Sequence, residues 1–392
     1  MSVSVQLTVG GAPVPSALYD AIAELEIEEN SDRPGTLLLR LPADRTPRGD
    51  VQFVGDGTFE PMTNIAVTVT PGGPGARRQC VFDGYVVAWR LHLARASTSS
   101  SIDISAQDAS WLMNLDDHVA EWAGLTDGQV ANAIFASHGF TPAPGNMAGD
   151  SPSHLPDGHT LLQRETDLQF LRRLARRNGK LLRVACAGPP GVRTGYFVKP
   201  AVTGPPAAEI SLTDQDRWTV ESLDFDWDVM RPAQVTASQV DLTHPGPAGT
   251  EVVSAGSGLG PLDQRSYPAY LGRPSRLLLT APADVAELGQ RGQAVLAESG
   301  FFARCTGEAD ADRIGAVLRA GDVVTIAGAG NLHSGKWLTW QVRHRFSPDG
   351  WTTGFTLVRN AMGPAAPGGT LASLGGAQSG LLPGGLLQAG RP

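Results

Sequence analysis

Charge and cysteine are both scarce in this sequence. Charged residues make up 18% of its 392 residues, below the usual level of about 25%. Lys and Arg total 31 against 39 Asp and Glu, a net charge of −8. A chain that neutralises phosphates carries a basic excess, so no nucleic-acid partner is expected. The three cysteines, Cys80, Cys186 and Cys305, fit no zinc spacing, and their odd number argues against a disulfide framework. Synthesis in a reducing cytosol follows as the expectation. No run is long and apolar enough to span a bilayer, so direct membrane insertion is not expected. Residues 1–9 alternate like a strand and show no basic segment followed by an apolar core, so no secretory signal is expected.

Signature chemistry is missing too. There is no P-loop, HExxH, GxSxG or paired CxxC. Gly256-Ser-Gly-Leu-Gly has GxG spacing but no strand-to-helix setting, and reads as a loop. The eight histidines are scattered. His154 and His159 flank a loop, and His333 and His344 could meet across adjacent strands, but no third ligand accompanies either pair. No catalytic residue, cofactor or metal is expected.

What is abundant is Gly (47) and Pro (29), on a 41% hydrophobic background. That background is enough to build cores, and so much punctuation suits many short strands joined by turns. The length allows two or three domains. Period-2 alternation predicts strands at 3–9, 23–29, 35–41, 64–70, 80–91 and 101–106. From Ser110 the period changes. A helix is predicted over 126–138, capped by Thr126 or Asp127 and stopped by Gly139. A second is predicted over 160–178, with Leu161, Leu168, Leu171 and Leu174 on one face and Gly179 closing it. Arg172, Arg173, Arg176 and Arg177 crowd its last turns and read as a solvated face or a subunit contact. A strand at 180–185 follows. Further strands are predicted at 218–229, 233–240, 301–309 and 321–328. A loop is predicted over 245–267, a helix over 282–299, and a hairpin from 336–346 to 350–359 through Ser347-Pro-Asp-Gly. Residues 361–392 form a tail of Gly, Ala, Leu and Pro, extended unless its leucines dock on a partner.

Asp224, Asp226 and Asp228 alternate with Phe225 and Trp227, which puts three carboxylates on one strand face. A polar-out, aromatic-in strand explains this. A glycosidase could also use such a pair, or an acid from 108–117. A carbohydrate-binding module would instead expose Trp337, Trp340 and Trp351.

Three segments are read together. The first is Val81-Phe-Asp-Gly-Tyr-Val-Val-Ala-Trp-Arg-Leu. The second and most specific is Arg164-Glu-Thr-Asp-Leu-Gln-Phe-Leu, leading through a helix to Gly179 and a strand. The third is Leu318-Arg-Ala-Gly-Asp-Val-Val-Thr-Ile, with Val342-Arg-His later. Together they resemble the VgrG and phage late control gene D family. The resemblance implies a mainly β chain. It implies two related antiparallel β-barrels, at 1–110 and 206–360, around an α/β insertion at 111–205, with the tail at 361–392. It further implies a homotrimer forming a pseudo-six-fold ring. Expected partners are a separate spike protein, inner-tube or tube-initiator proteins and baseplate adaptors, within a phage-tail-like particle or virion baseplate. Family members of the VgrG type continue into an OB-fold and a β-helical spike. Nothing after residue 360 resembles these, so the resemblance is to the hub portion. The implied function is a structural hub of a contractile injection system; the alternative is a cell-wall hydrolase or a carbohydrate-binding β module.

Overall fold

The computed structural model describes residues 4–47, 49–53, 55, 57–72, 77–95, 100–154, 160–186, 188–213, 218–228, 230–240, 250–255, 259–266, 276–280, 285–348 and 350–363. The first unit contains β1 (Ser4–Val9), β2 (Ala12–Pro13), α1 (Ser16–Ala21), β3 (Glu24–Asn30), β4 (Thr36–Pro42), β5 (Asn64–Thr70), β6 (Gln79–His92) and β7 (Ser101–Asp108). The alternation predicted from sequence is what buries it. Leu25 and Ile27 of β3, Leu37, Leu39 and Leu41 of β4, and Ile102 and Ile104 of β7 all point inward. They join Leu7, Ile65, Val67, Phe82 and Val86 in one core. The long β6 shifts register against β5 after Cys80 and against β7 after Val86, two bulges that bend it.

The insertion holds a 3-10 turn (Ala109–Asn114), β8 (Asp117–Glu121), α2 (Asp127–Ser137), β9 (Thr141–Pro142), β10 (Leu162–Thr166), α3 (Asp167–Asn178), β11 (Leu181–Cys186) and β12 (Arg193–Val198). Val130, Phe135, Phe170, Leu171, Leu174 and Phe197 form its core. Thr126 caps α2 in a reciprocal capping box with Gln129, so Thr126 and not Asp127 is the cap.

The helix predicted from residue 160 is shorter than expected. Leu162–Thr166 is a strand, antiparallel to Asp117–Glu121, and α3 begins only at Asp167. The reason is local. The Thr166 hydroxyl accepts from Gln169 N at 3.3 Å and fixes the helix start, while β8, absent from the sequence reading, satisfies the backbone before it. Thr166 Oγ1 also donates to Asn114 Oδ1 at 2.8 Å. Thr166→Ala is expected to lower stability by about 1–2 kcal/mol, read as a lower urea midpoint. A midpoint unchanged from wild type would remove the cap from the account.

The second β unit contains β13 (Ala208–Ser211), β14 (Ser222–Trp227), β15 (Gln234–Val240), β16 (Thr250–Ala255), β17 (Arg265–Ser266), β18 (Arg276–Thr280), α4 (Val285–Ser299), β19 (Ala303–Asp310), α5 (Ala311–Ile314), β20 (Val323–Ala327), α6 (Gly330–His333), β21 (Gly335–Ser347), β22 (Gly350–Arg359) and β23 (Ala361–Met362). Its core gathers Ile210, Phe302, Cys305, Val324, Ile326, Trp337, Val342 and Leu357. The loop predicted over 245–267 is corrected in part: β16 lies within it and pairs antiparallel with β15 along all six residues, and β15 pairs parallel with β18. The predicted hairpin is β21–β22. Ala361 and Met362 are fully buried, and β23 pairs with β17. The rest of the predicted tail, from 364, lies outside the described residues, as do His159 and Gly256-Ser-Gly.

The two β units share one 13-stranded sheet, and β21 is the reason. Gly335–Leu338 pairs with β20. Trp340 then bulges, and Gln341–Phe346 pairs with β3 of the first unit. One edge of a single strand thus serves both units in turn. The fold is mainly β with an α+β insertion.

Candidate functional site

Across the join, the solvent face is an ion ladder. Glu28 meets Arg343 at 2.9 Å and Glu26 meets Arg345 at 3.2 Å, and Glu24 contacts both Arg345 and Arg40, each at 3.1 Å. Exposed pairs of this kind contribute little each, about 0–1 kcal/mol, but opposite charges facing each other fix the register.

Beneath the ladder, buried polar groups tie the three units together. Glu29 of β3 contacts Arg319 Nε at 2.7 Å, out of line for a hydrogen bond, and accepts from Ala320 N at 3.2 Å. Arg319 Nη1 donates to the Cys80 carbonyl at 2.8 Å. Asp83 of β6 binds Arg193 of β12 at 2.8 Å, and Gly191 N donates to it at 2.6 Å. Burial works against the Asp83 anion, but the Arg193, Gly191 and Asn64 hydrogen bonds outweigh it and lower the pKa. His344 is fully buried. Burial pushes its pKa down to about 4, so the ring is neutral, with Nε2–H donating to Leu318 O at 3.1 Å and Nδ1 accepting from Thr353 Oγ1 at 3.0 Å. Arg359, also fully buried, pairs with Asp263 and donates to the Ser334 carbonyl at 3.0 Å.

Two buried carboxylates organise the insertion. Asp167, the last residue of Arg164-Glu-Thr-Asp, accepts from His138 Nε2 at 2.8 Å, Gln163 Nε2 at 2.6 Å and His118 Nδ1 at 3.0 Å. Burial alone would raise its pKa; these donors prevail and hold it at about 2. Asp127, the first residue of α2, has no exposed surface. His154 Nε2 lies 2.8 Å from it, Arg177 Nε donates at 2.7 Å, and Asn178 donates as well. Again burial opposes ionisation, and the His154 and Arg177 bonds win, holding the pKa at about 2. Arg177 also reaches Glu287 of α4 at 3.6 Å. Gly179, with φ of 62°, closes α3 where an added Cβ would come 3.0 Å from the Ala294 backbone.

The arginine cluster is therefore not one solvated face. Arg177 is half-buried and paired, Arg173 binds Glu165 at 2.8 Å, and Arg172 is partly desolvated near Asp32. The charge run read as surface from sequence is recruited by acids far along the chain.

Asp224, Asp226 and Asp228 are exposed, on β14 and just past its end, while Phe225 and Trp227 turn inward against His333. Asp228 pairs with Arg231 at 2.8 Å. His333 and His344 are held in separate settings, His333 by Phe225 and His344 by Thr353 and Leu318. Trp337 and Trp351 are buried and Trp340 half-buried, so they form no exposed aromatic face. The three cysteines are free and buried, and Cys80 Sγ donates to the Phe82 carbonyl at 3.4 Å. Among the described residues, no group of three or more His, Cys, Asp and Glu could hold a metal. No helix among them is long and apolar enough to cross a membrane.

The polar network was only partly legible. Asp83, Asp167, Arg319 and Asp322 stand inside the motifs singled out from sequence. Asp127, Arg193 and Arg359 carry no local signal for their ion pairs, because the partners are distant in sequence.

The fold is found elsewhere. The 43 kDa tail protein of prophage MuSo2 from Shewanella oneidensis superposes with a TM-score of 0.63 at 16% identity, over 92% of this chain and 100% of that one. The tail protein from Neisseria meningitidis MC58 gives 0.60 at 16% identity, over 92% and 97%. A chain of the Francisella PdpA–VgrG complex gives 0.54 at 11% identity, over 93% of this chain and 54% of that one. At such identities the likeness is one of fold. No curated protein matches the chain. The family model described as phage tail baseplate hub (GPD) matches residues 48–350, a span that holds all three sequence motifs. The protein therefore belongs to the phage tail baseplate hub family, a structural family of tail proteins.

Proposed function

We propose that the chain is the hub at which a three-fold spike meets a six-fold inner tube, in a contractile injection system or a phage-like baseplate. The observation that carries this is the pairing of two β units in one chain through β21. Each has its own core, and together they form one continuous sheet. Three such chains around an axis would present six similar β units, the arrangement a three-to-six symmetry match requires. In this reading the β units, at 1–110 and 206–360, are barrels around the insertion at 111–205, and the tail beyond β23 reaches toward a separate spike protein. Tube and adaptor proteins would bind the ring's other surfaces.

The test is mass in solution. Light scattering at micromolar concentration is expected to give three times the 41.1 kDa of the chain. A clean monomer at that concentration would sink the ring.

A further inference from the structure

One cavity lies where the three units meet, and nothing described so far gives it a task. It has a volume of about 270 Å3 and is lined by Arg78, Arg183, Arg319, Tyr196, Asp322 and Cys186, among others. That is room for several waters, at about 30 Å3 each, or for one small polar group.

Arg183 gives the cavity its character. Its guanidinium carbon stands 4.4 Å from the Tyr196 ring centroid. Its Nη2 lies so near Gly321 that a Cβ there would come within 3.0 Å. The head group is almost wholly desolvated, which works to lower its pKa. The residue as a whole is half-buried and lines the cavity. Among the described residues, no hydrogen bond or ion pair engages it. A desolvated cation without a partner is costly, and proteins rarely hold one idle.

The nearby acids do not meet this need. Glu29 is engaged by Arg319 and the Ala320 amide. Asp322 makes no ion pair with Arg183, and burial pushes its carboxyl pKa up, toward the neutral form. Arg319 has one Nη committed to Cys80 and also lines the cavity. Arg78, anchored on Thr68 at 3.1 Å, stands exposed at the rim. Three guanidiniums thus line the cavity with one acid, Asp322, whose pKa burial raises.

We propose that this cavity is an oxyanion site, in which the planar fork of Arg183 takes a carboxylate or phosphate group with Arg319 and Arg78 beside it. The guanidinium fork matches both groups in a two-point geometry, and ring stacking leaves its in-plane donors free. An occupied site would link β6 of the first unit, β11 and β12 of the insertion, and the turn before β20 of the second unit. The oxyanion can come from free solute or from an acidic side chain of an assembly partner.

The experiment uses the full chain and reads unfolding midpoints with millimolar inorganic phosphate or acetyl-glutamate amide, against chloride at equal ionic strength. A rise with phosphate alone identifies a free anion as the source; a rise with the amide identifies a side-chain carboxylate. Either rise is expected to vanish in Arg183→Met. Without anion, Arg183→Met is expected to be at least as stable as wild type, because a desolvated charge with no hydrogen bond or ion pair is removed and the Met side chain can still pack on the Tyr196 ring. Should that variant not fold, Arg183→Lys keeps the charge but loses the fork and should weaken anion binding by about tenfold. No response to either anion in wild type overturns the proposal. So does an equal response in Arg183→Met, or in Arg183→Lys where that variant stands in. None of these readings depends on the trimer.

Discussion

Gly84→Ala is expected to destabilise the protein by more than about 3 kcal/mol, or to prevent folding altogether. Gly84 sits on β6 where β5 and β7 flank it, and a Cβ there would lie 2.0 Å from the Gln107 carbonyl oxygen and 2.8 Å from the Asp108 Cα. Both are backbone atoms, so no rotamer change can relieve the overlap; β6 and β7 would have to part. Side-chain overpacking in a core costs about 1–3 kcal/mol, and a backbone collision belongs above that range. The next residues, Val86 to Ala88, already carry a bulge, so the strand has little slack left. The check is a urea titration followed by tryptophan fluorescence, Trp111 lying 6.3 Å from Tyr85. A midpoint within error of wild type would show that the sheet opens freely there. Gly10→Ala serves as the contrast: no atom lies within 4 Å of its Cβ position, although its φ of 59° adds strain of its own. The glycine that marks Val81-Phe-Asp-Gly-Tyr in the sequence is thus a close approach of two strands.

Asp127→Ala is expected to cost about 3–5 kcal/mol, the range for removing one partner of a buried ion pair. It leaves Arg177, His154 and Asn178 without the carboxylate that gathers them, and it loosens α3 from α2. Asp127→Asn keeps the volume and gives the pH test. The folded pKa, about 2, lies below the usual carboxylate value near ~3.9. The ionised carboxylate therefore adds stability that is fully present above the unfolded value and is lost as pH falls through the folded one. The wild-type advantage over Asp127→Asn should hold steady from neutrality to about pH 5, then shrink by about 2–3 kcal/mol toward pH 2. Using the difference between the two proteins removes Asp108, whose pKa burial pushes up to about 6 and which acts with the opposite sign. An advantage that stays constant down to pH 2 would mean that the anion is not what Arg177 and His154 hold.

The two experiments touch different levels of the architecture. Gly84 governs whether the first sheet forms, and Asp127 governs how the insertion's helices lock together. Both lie away from the exposed Asp224 and Asp226, where neither effect should arise from neutralising a charge.

Much of the fold was legible because burial and period coincide. Strands β4 and β7 bury every second residue throughout and β3 does so up to Glu28, so alternation alone located them within about two residues. Thr126 and Gly179 marked helix ends through chemistry carried by single residues. Legibility failed where the deciding partner was remote. Leu162–Thr166 carries a leucine and a charge pattern that suit a helix, and pairing with Asp117–Glu121 made it a strand. Thr250–Ala255 lay in a Gly- and Pro-rich stretch and became ordered on β15. The four-arginine run looked like surface because the acids that claim Arg177 lie 50 and 110 positions away in either direction, at Asp127 and Glu287.

The sequence by itself determined a mainly β chain with an α/β insertion, the absence of familiar catalytic motifs, and the family, through Arg164-Glu-Thr-Asp and its companion motifs. Those properties rest on local patterning, which each segment carries without its neighbours. Only the tertiary structure decided that one strand, β21, serves both β units, that Gly84 is a contact between strands, and that Arg183 stands at a three-way junction with no hydrogen bond or ion pair among the described residues. Those properties belong to pairs of segments scores or hundreds of residues apart, and folding alone brings them together.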